Sequence, residues 1–135
     1  LTKELKIHGH EPDAAQYGAL AVYGADAPAI QALGQTEPRW QTPLHPELPY
    51  TAAEVVWAVR EEHARTVEDV LARRTRALFL NVRAALAMAP RVAELMAAEL
   101  GRDAAWQAEQ VRAFVETARG FLPRPGCAEQ GADKP

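Results

Sequence analysis

Residues 49–76 read PYTAAEVVWAVREEHARTVEDVLARRTR. Thr51-Ala-Ala-Glu54 is a capping box: the threonine hydroxyl can accept the third backbone N–H, and Glu54 can reach back to the cap's own N–H. Tyr50 before the cap and Val55 within the first turns stand where a hydrophobic staple fixes the entry of the chain. Thr66-Val-Glu-Asp69 repeats the start signal soon after the first helix should end. Two starts so close together predict a helix, a sharp corner near Ala64-Arg65, and a second helix. On the first, Ala52, Val55, Val56 and Val59 share a stripe with Glu62; on the second, Val67, Val70 and Leu71 share one with Arg74. A charged residue on an apolar stripe implies a partner. Asp69 and Arg73 lie four apart with the acid first, the favoured order for an exposed pair.

Beyond this pair, Leu78, Phe79, Leu80, Val82, Leu86, Met88, Val92, Leu95 and Met96 make 77–100 apolar nearly all round, the mark of central helices. Asn81 can cap there, and Pro90 should start a new helix or kink the old one. Met88 and Met96 read as core fillers rather than cofactor contacts. Gly101 ends this region and Asp103 caps a last helix, on which Trp106, Gln110, Phe114, Thr117 and Phe121 share one face and close the bundle. After Leu122 no periodicity remains; 123–135 should be a disordered tail, and 126–135 should be dispensable for stability.

On the N-terminal side, 1–12 predicts a short extended segment. His8-Gly9-His10-Glu11 resembles a metal-ligand spacing only weakly, and a solvated linker is the simpler reading. Asp13 should cap a short helix through Leu20 and Tyr23 that stops at Gly24. Asp26 should cap another, with Pro28 in its first turn, ending before Gly34. Pro38, Pro43, Pro46 and Pro49 make 34–49 a loop of extended character. Arg39 and Trp40 are candidates to dock it on the body, and an aromatic plugging the edge of the core is the simpler reading.

The chain has 135 residues, 48% hydrophobic and 24% charged, with a formal net charge of −3. That length suits one domain with a real core. The acidic balance argues against a nucleic-acid reader, although two helices around a tight turn resemble a helix-turn-helix. No apolar run reaches the ~20 residues of a membrane span, and no signal peptide is visible. The lone Cys127 cannot staple the fold, and a reducing cytoplasm is the simplest setting. Leucine at residue 1 suggests a piece of a longer polypeptide.

Pro49-Tyr-Thr-x-x-Glu54-Val, Ala58-Val-Arg-x-Glu62-x-Ala64-x-Thr66 and Asp69-Val-Leu-Ala-Arg73-Arg74-Thr75-Arg76 together resemble the signature of a known domain. It is the C-terminal domain of the FAD-dependent aerobic glycerol-3-phosphate dehydrogenases. The resemblance extends through Phe79-Leu80-Asn81, Pro90-x-Val-Ala-x-Leu-Met96 and Leu100-Gly101, and weakly through His8-Gly9 and Tyr23-Gly24, covering most of 5–121. Asn81 replaces the usual aspartate, and Arg102 stands where many relatives have tryptophan. The resemblance implies an all-α single-domain bundle over 1–122. It also implies a parent enzyme that oxidises sn-glycerol 3-phosphate to dihydroxyacetone phosphate with FAD and passes electrons to quinone, peripheral on the inner face of the cytoplasmic membrane. This domain would be accessory to it, packing on the preceding FAD and substrate domain or forming a homo-oligomer contact, with no cofactor of its own.

From periodicity and caps alone the fold class is all-α, about five to seven helices. There is no Gly-rich dinucleotide fingerprint after a strand, and no nucleophile–base set or metal cluster. The charged candidates are two. Glu54, Glu61, Glu62, Asp69, Arg73 and Arg74 would form a structural ion-pair network. Within it Arg74 would be a buried cation meeting Glu62 or Glu54 before Glu61, at a cost of roughly 3–5 kcal/mol if truncated. Alternatively Arg73, Arg74 and Arg76 would form an anion site on a freestanding helical binding module, since guanidinium forks match phosphate oxygens.

Overall fold

Helix α2 (Ala52–Arg60) begins where the capping box puts it, and both reciprocal bonds of the box are present. The computed structural model describes residues 5–123. Within it α1 covers Ala27–Thr36, α3 Ala77–Leu80, α4 Val82–Leu100 and α5 Ala104–Arg119. Helix α4 is the hub: it contacts α2, α3, α5 and the first strand of a small hairpin. Its inward positions are mostly alanine with Met88, Val92, Leu95 and Met96, all buried, so neighbouring backbones approach closely. The stripes of the central pair also point inward, with Val55, Val67, Val70 and Leu71 fully buried. Among the described residues the regular structure is helical apart from that hairpin.

Several local expectations gave way to tertiary detail. The stretch 34–49 contains β1 (Pro43–His45) and β2 (Leu48–Thr51), antiparallel, with Pro43 opposite Thr51 and His45 opposite Leu48. Two-stranded ladders have only edges, so their prolines cost no central bond. Helix α1 continues through Gly34 to Thr36, and Gly34 is buried beneath Ala53 and Gln41. The first short helix is instead a 3-10 stretch, Ala14–Asp26, broken at Gly18 (φ 58°, ψ −122°) and Gly24 (φ 53°, ψ −122°). Neither Asp13 nor Asp26 caps through its side chain. Residues 5–7 enter as irregular chain rather than a strand.

The second helix of the central pair is wound as a π-helical turn, Asp69–Arg74, in which Thr75 donates through both N–H and Oγ1 to the carbonyl of Val70 at 2.9 Å. Its start signal works as expected: Thr66 Oγ1 accepts from Asp69 N at 3.1 Å and Asp69 Oδ2 accepts from Thr66 N at 3.0 Å. Helix α4 runs unbroken through Pro90. Phe121 falls past the end of α5 and is 48% exposed, so it is not part of the core stripe that Phe114 and Ala118 do form. Except for Pro123, the expected tail lies outside the described residues, and so do Cys127 and the whole of 126–135.

Candidate functional site

Tyr23 of the N-terminal 3-10 stretch meets Glu54 of α2, and the same stretch lines a cavity with Arg74 of the π turn. Glu54, in the first turn of α2, is 3% exposed. Its Oε2 accepts from Thr51 N at 2.7 Å and Thr51 Oγ1 at 3.1 Å, and Oε1 accepts from the Tyr23 hydroxyl at 3.2 Å. Burial pushes the Glu54 carboxyl above the ordinary range, and the donors from Thr51 and Tyr23 only partly offset this. Burial, and then the charge of Glu54, hold the Tyr23 phenol far above its usual range, so it stays a donor. Tyr23 thereby staples the 3-10 stretch to α2. Beside it His8 Nε2 meets Asp26 Oδ2 at 3.0 Å, fastening the incoming chain to the start of α1.

At the corner after α2 the chain turns through His63, which has a left-handed backbone, and Ala64 N closes the turn on the Ala58 carbonyl at 2.8 Å. Arg74 reaches back to this corner. One guanidinium N–H donates to the Glu62 carbonyl at 2.7 Å, and Nε lies 3.1 Å from Glu62 Oε2. That N–H is not aligned on the carboxylate, so Oε2 is buried without a hydrogen bond. Burial raises the Glu62 carboxyl despite Arg74, and Asp26 adds to the rise. The Arg74 side chain is 34% exposed, so the buried-cation reading is corrected: it is a half-covered strut against Glu62.

The six charged residues anticipated as one network are distributed over separate contacts. Glu62 and Arg74 come together; Glu54 takes Thr51 and Tyr23 instead. Arg73 bridges Asp69 at 2.7 Å and Glu68 at 3.0 Å on the outer face of the π turn. Glu61 forms no ion pair among the described residues. Of the three arginines considered for an anion, Arg73 and Arg74 are therefore occupied by carboxylates. Arg76 is not: it has a left-handed backbone (φ 59°) and pairs with no acid among the described residues. With Arg74, Tyr50, Pro49, Val22 and Leu80 it lines a cavity of about 540 Å³. Tyr50 feels both neighbours: burial and Glu54 raise its phenol, and Arg76 lowers it.

Trp40 packs half-buried against the edge of the core, the simpler of its two readings, and lies under the Arg60 guanidinium 5.4 Å from its ring centre; Arg60 is itself held bidentate by Glu99 at 2.6 and 2.9 Å. Among the described residues Arg39 pairs only with Glu37, on the surface. Asn81 caps α4 through Oδ1 and donates Nδ2 to Glu47 at 3.1 Å, a donation an aspartate could not make. Among the described residues no three His, Cys, Asp or Glu side chains gather to hold a metal. A flavin pyrophosphate needs a strand, a glycine turn and a helix N-terminus. Here β2 runs straight into α2 through Thr51, so these residues do not fit a flavin cradle. The Tyr23, His8 and Asp26 roles escaped helical periodicity; only the short His8-Gly9 and Tyr23-Gly24 matches pointed at that junction.

The family model described as the C-terminal domain of alpha-glycerophosphate oxidase matches residues 2–109. The probable mitochondrial glycerol-3-phosphate dehydrogenase of Caenorhabditis elegans is 42% identical over 119 residues, 85% of this chain and 16% of that protein. The human mitochondrial glycerol-3-phosphate dehydrogenase is 41% identical over the same shares. That of Schizosaccharomyces pombe is 44% identical over 85 residues, 63% of this chain and 12% of that protein. The chain thus spans about 16% of the length of the first of these relatives. No solved structure matches the chain. With four-fifths of the chain under the family model and a helical body carrying the matched motifs, the chain belongs to the family of C-terminal domains of alpha-glycerophosphate oxidase and the glycerol-3-phosphate dehydrogenases.

Proposed function

We propose that this chain is the accessory C-terminal domain of an aerobic glycerol-3-phosphate dehydrogenase. The whole enzyme oxidises sn-glycerol 3-phosphate to dihydroxyacetone phosphate, holds FAD in its preceding part, and delivers electrons to quinone. The enzyme sits peripherally on the inner face of the cytoplasmic membrane, with this domain in the cytoplasm. The domain's own work is structural: it packs against the flavin- and substrate-binding part of the same polypeptide. One observation carries the reading: 85% of the chain aligns with only 16% of a glycerol-3-phosphate dehydrogenase. The geometry supports a non-catalytic role, because the buried carboxylate Glu54 spends its bonds on fastening Tyr23 and capping α2 rather than facing open space. The test is to extend the polypeptide upstream of residue 1 and assay it whole. A Gly-x-Gly-x-x-Gly strand–helix unit, bound FAD, and glycerol-3-phosphate-dependent reduction of a quinone analogue are expected. A full-length protein with no flavin and no such activity would refute the proposal.

A further inference from the structure

We infer that the exposed apolar strip running from Val22 through Leu80 and Phe79 to Phe121, with Arg76 beside its Val22–Leu80 end, is the surface on which the preceding flavin-bearing part of the same polypeptide docks. This rests on the function proposed above and adds where the contact is made. Among the described residues the exposed large apolar side chains are confined to the incoming chain, at Leu5 and Ile7, and to this strip with its neighbour Leu122. They are contiguous: Val22 and Leu80 line one cavity, and the Phe79 ring packs edge-on against Phe121 with centroids 5.4 Å apart. Helix α3 is a single turn that buries Ala77 and Leu78 while leaving Phe79 54% and Leu80 65% exposed. A contiguous apolar surface of this kind marks an interaction site.

The charge pattern says what covers it. Arg73 and Arg74 are both matched by acids, whereas Arg76, held in a left-handed backbone beside Tyr50 at that end of the strip, has no acid among the described residues. A strained backbone that presents one unmatched guanidinium within apolar surroundings suits a carboxylate arriving on an otherwise apolar partner. The route of the chain says which partner. Ile7, His8 and Gly9 line an adjoining cavity together with Val22, so the incoming polypeptide meets the strip at its edge. The family is a C-terminal domain, and the matched relatives are several times longer than this chain. A body tethered at that edge meets the strip at high effective concentration.

The experiment uses the full-length polypeptide with its native thiols replaced, carrying Leu80→Cys or Phe121→Cys, and Ala105→Cys on α5 as the exposed control. Maleimide labelling at both strip positions should be at least about tenfold slower than at the control, because a covered thiol reacts only in the opened fraction. Arg76→Glu should restore fast labelling at Phe121→Cys, and Arg76→Lys should not. Equal rates at strip and control in a flavin-containing, active protein would overturn the docking while leaving the proposed function intact. Protection in a protein without flavin or glycerol-3-phosphate oxidation would overturn the flavin-bearing partner and the proposed function with it. Protection lost on dilution would assign the strip to a second copy. Protection gained only with vesicles of phosphatidylethanolamine and phosphatidylglycerol would assign it to the membrane. Either result would overturn the inference.

Discussion

At Glu54 a carboxylate gives up nearly all its water for three donors, from Thr51 N, Thr51 Oγ1 and the Tyr23 hydroxyl. Desolvation wins, and the carboxyl stays above its ordinary range. A raised carboxyl means the folded state holds the proton more tightly than the unfolded chain. Stability then falls as pH rises from the unfolded pKa, about 4.3, through the folded one. Acidifying from about pH 7 to about pH 5 should therefore raise the denaturant midpoint through this group. Glu62, raised by burial, acts with the same sign. Asp69 acts oppositely: desolvation raises it, but the N–H groups of Arg65 and Thr66, the Thr66 hydroxyl and Arg73 outweigh that. Its contribution is present above the ordinary carboxylate pKa and is lost only as pH falls through its depressed one. Glu54→Gln should consequently flatten the neutral-to-mildly-acidic rise without abolishing it; parallel midpoint curves for variant and wild type would contradict this. Arg74→Ala should cost about 1–2 kcal/mol in denaturant melts, the worth of one charged hydrogen bond and a half-exposed pair. A loss of several kcal/mol would restore the buried-cation reading that the 34% exposure of its side chain has displaced.

Among elements, the 3-10 stretch Ala14–Asp26 depends most on its glycines. Gly18 and Gly24 share nearly the same backbone, φ 58° and 53° with ψ −122°, the first central position of a type II′ turn. A Cβ on Gly18 meets nothing within 4 Å, whereas one on Gly24 would lie 1.9 Å from the Gly9 carbonyl oxygen. Alanine at either position carries the same backbone strain, of order 1–3 kcal/mol. Only Gly24→Ala must also push the incoming chain away, breaking the Ala25 N to Gly9 O bond of 3.3 Å. Thermal melts should rank Gly24→Ala clearly below Gly18→Ala, and only the former should make His8-Gly9 readily cleaved by protease. Equal losses in both would mean that the junction contributes nothing. The π turn follows a similar logic: buried Thr75 spends both N–H and hydroxyl on the Val70 carbonyl, a five-residue closure that caps and hydrophobic spacing do not distinguish from an α-turn.

For the whole molecule, the chain purified alone is expected to bind no flavin and to leave glycerol 3-phosphate unoxidised. The reason is that its only described sheet is a hairpin feeding α2 without a glycine turn. A yellow preparation with stoichiometric flavin absorbance would contradict this. What the sequence determined by itself was much, though not all, of what contacts a few residues apart govern: Asp13 and Asp26 do not cap, and the π turn is indistinguishable from an α-turn by spacing. The Thr51–Glu54 and Thr66–Asp69 boxes, the Asn81 and Asp103 caps, the Gly101 stop and the inward stripes of α2 and α4 all rest on local geometry that residue type and spacing encode. The tertiary structure alone decided the partners of charges, because those depend on which surfaces meet. Glu54 found Tyr23 thirty-one positions away, Asp26 found His8 rather than its own helix, and Arg74 was left half in water. It also decided that Phe121 stacks outside on Phe79, since helical phase stops at the end of α5. Hydrophobic spacing states that a side chain seeks cover; only the packed body shows whether the chain itself has provided it.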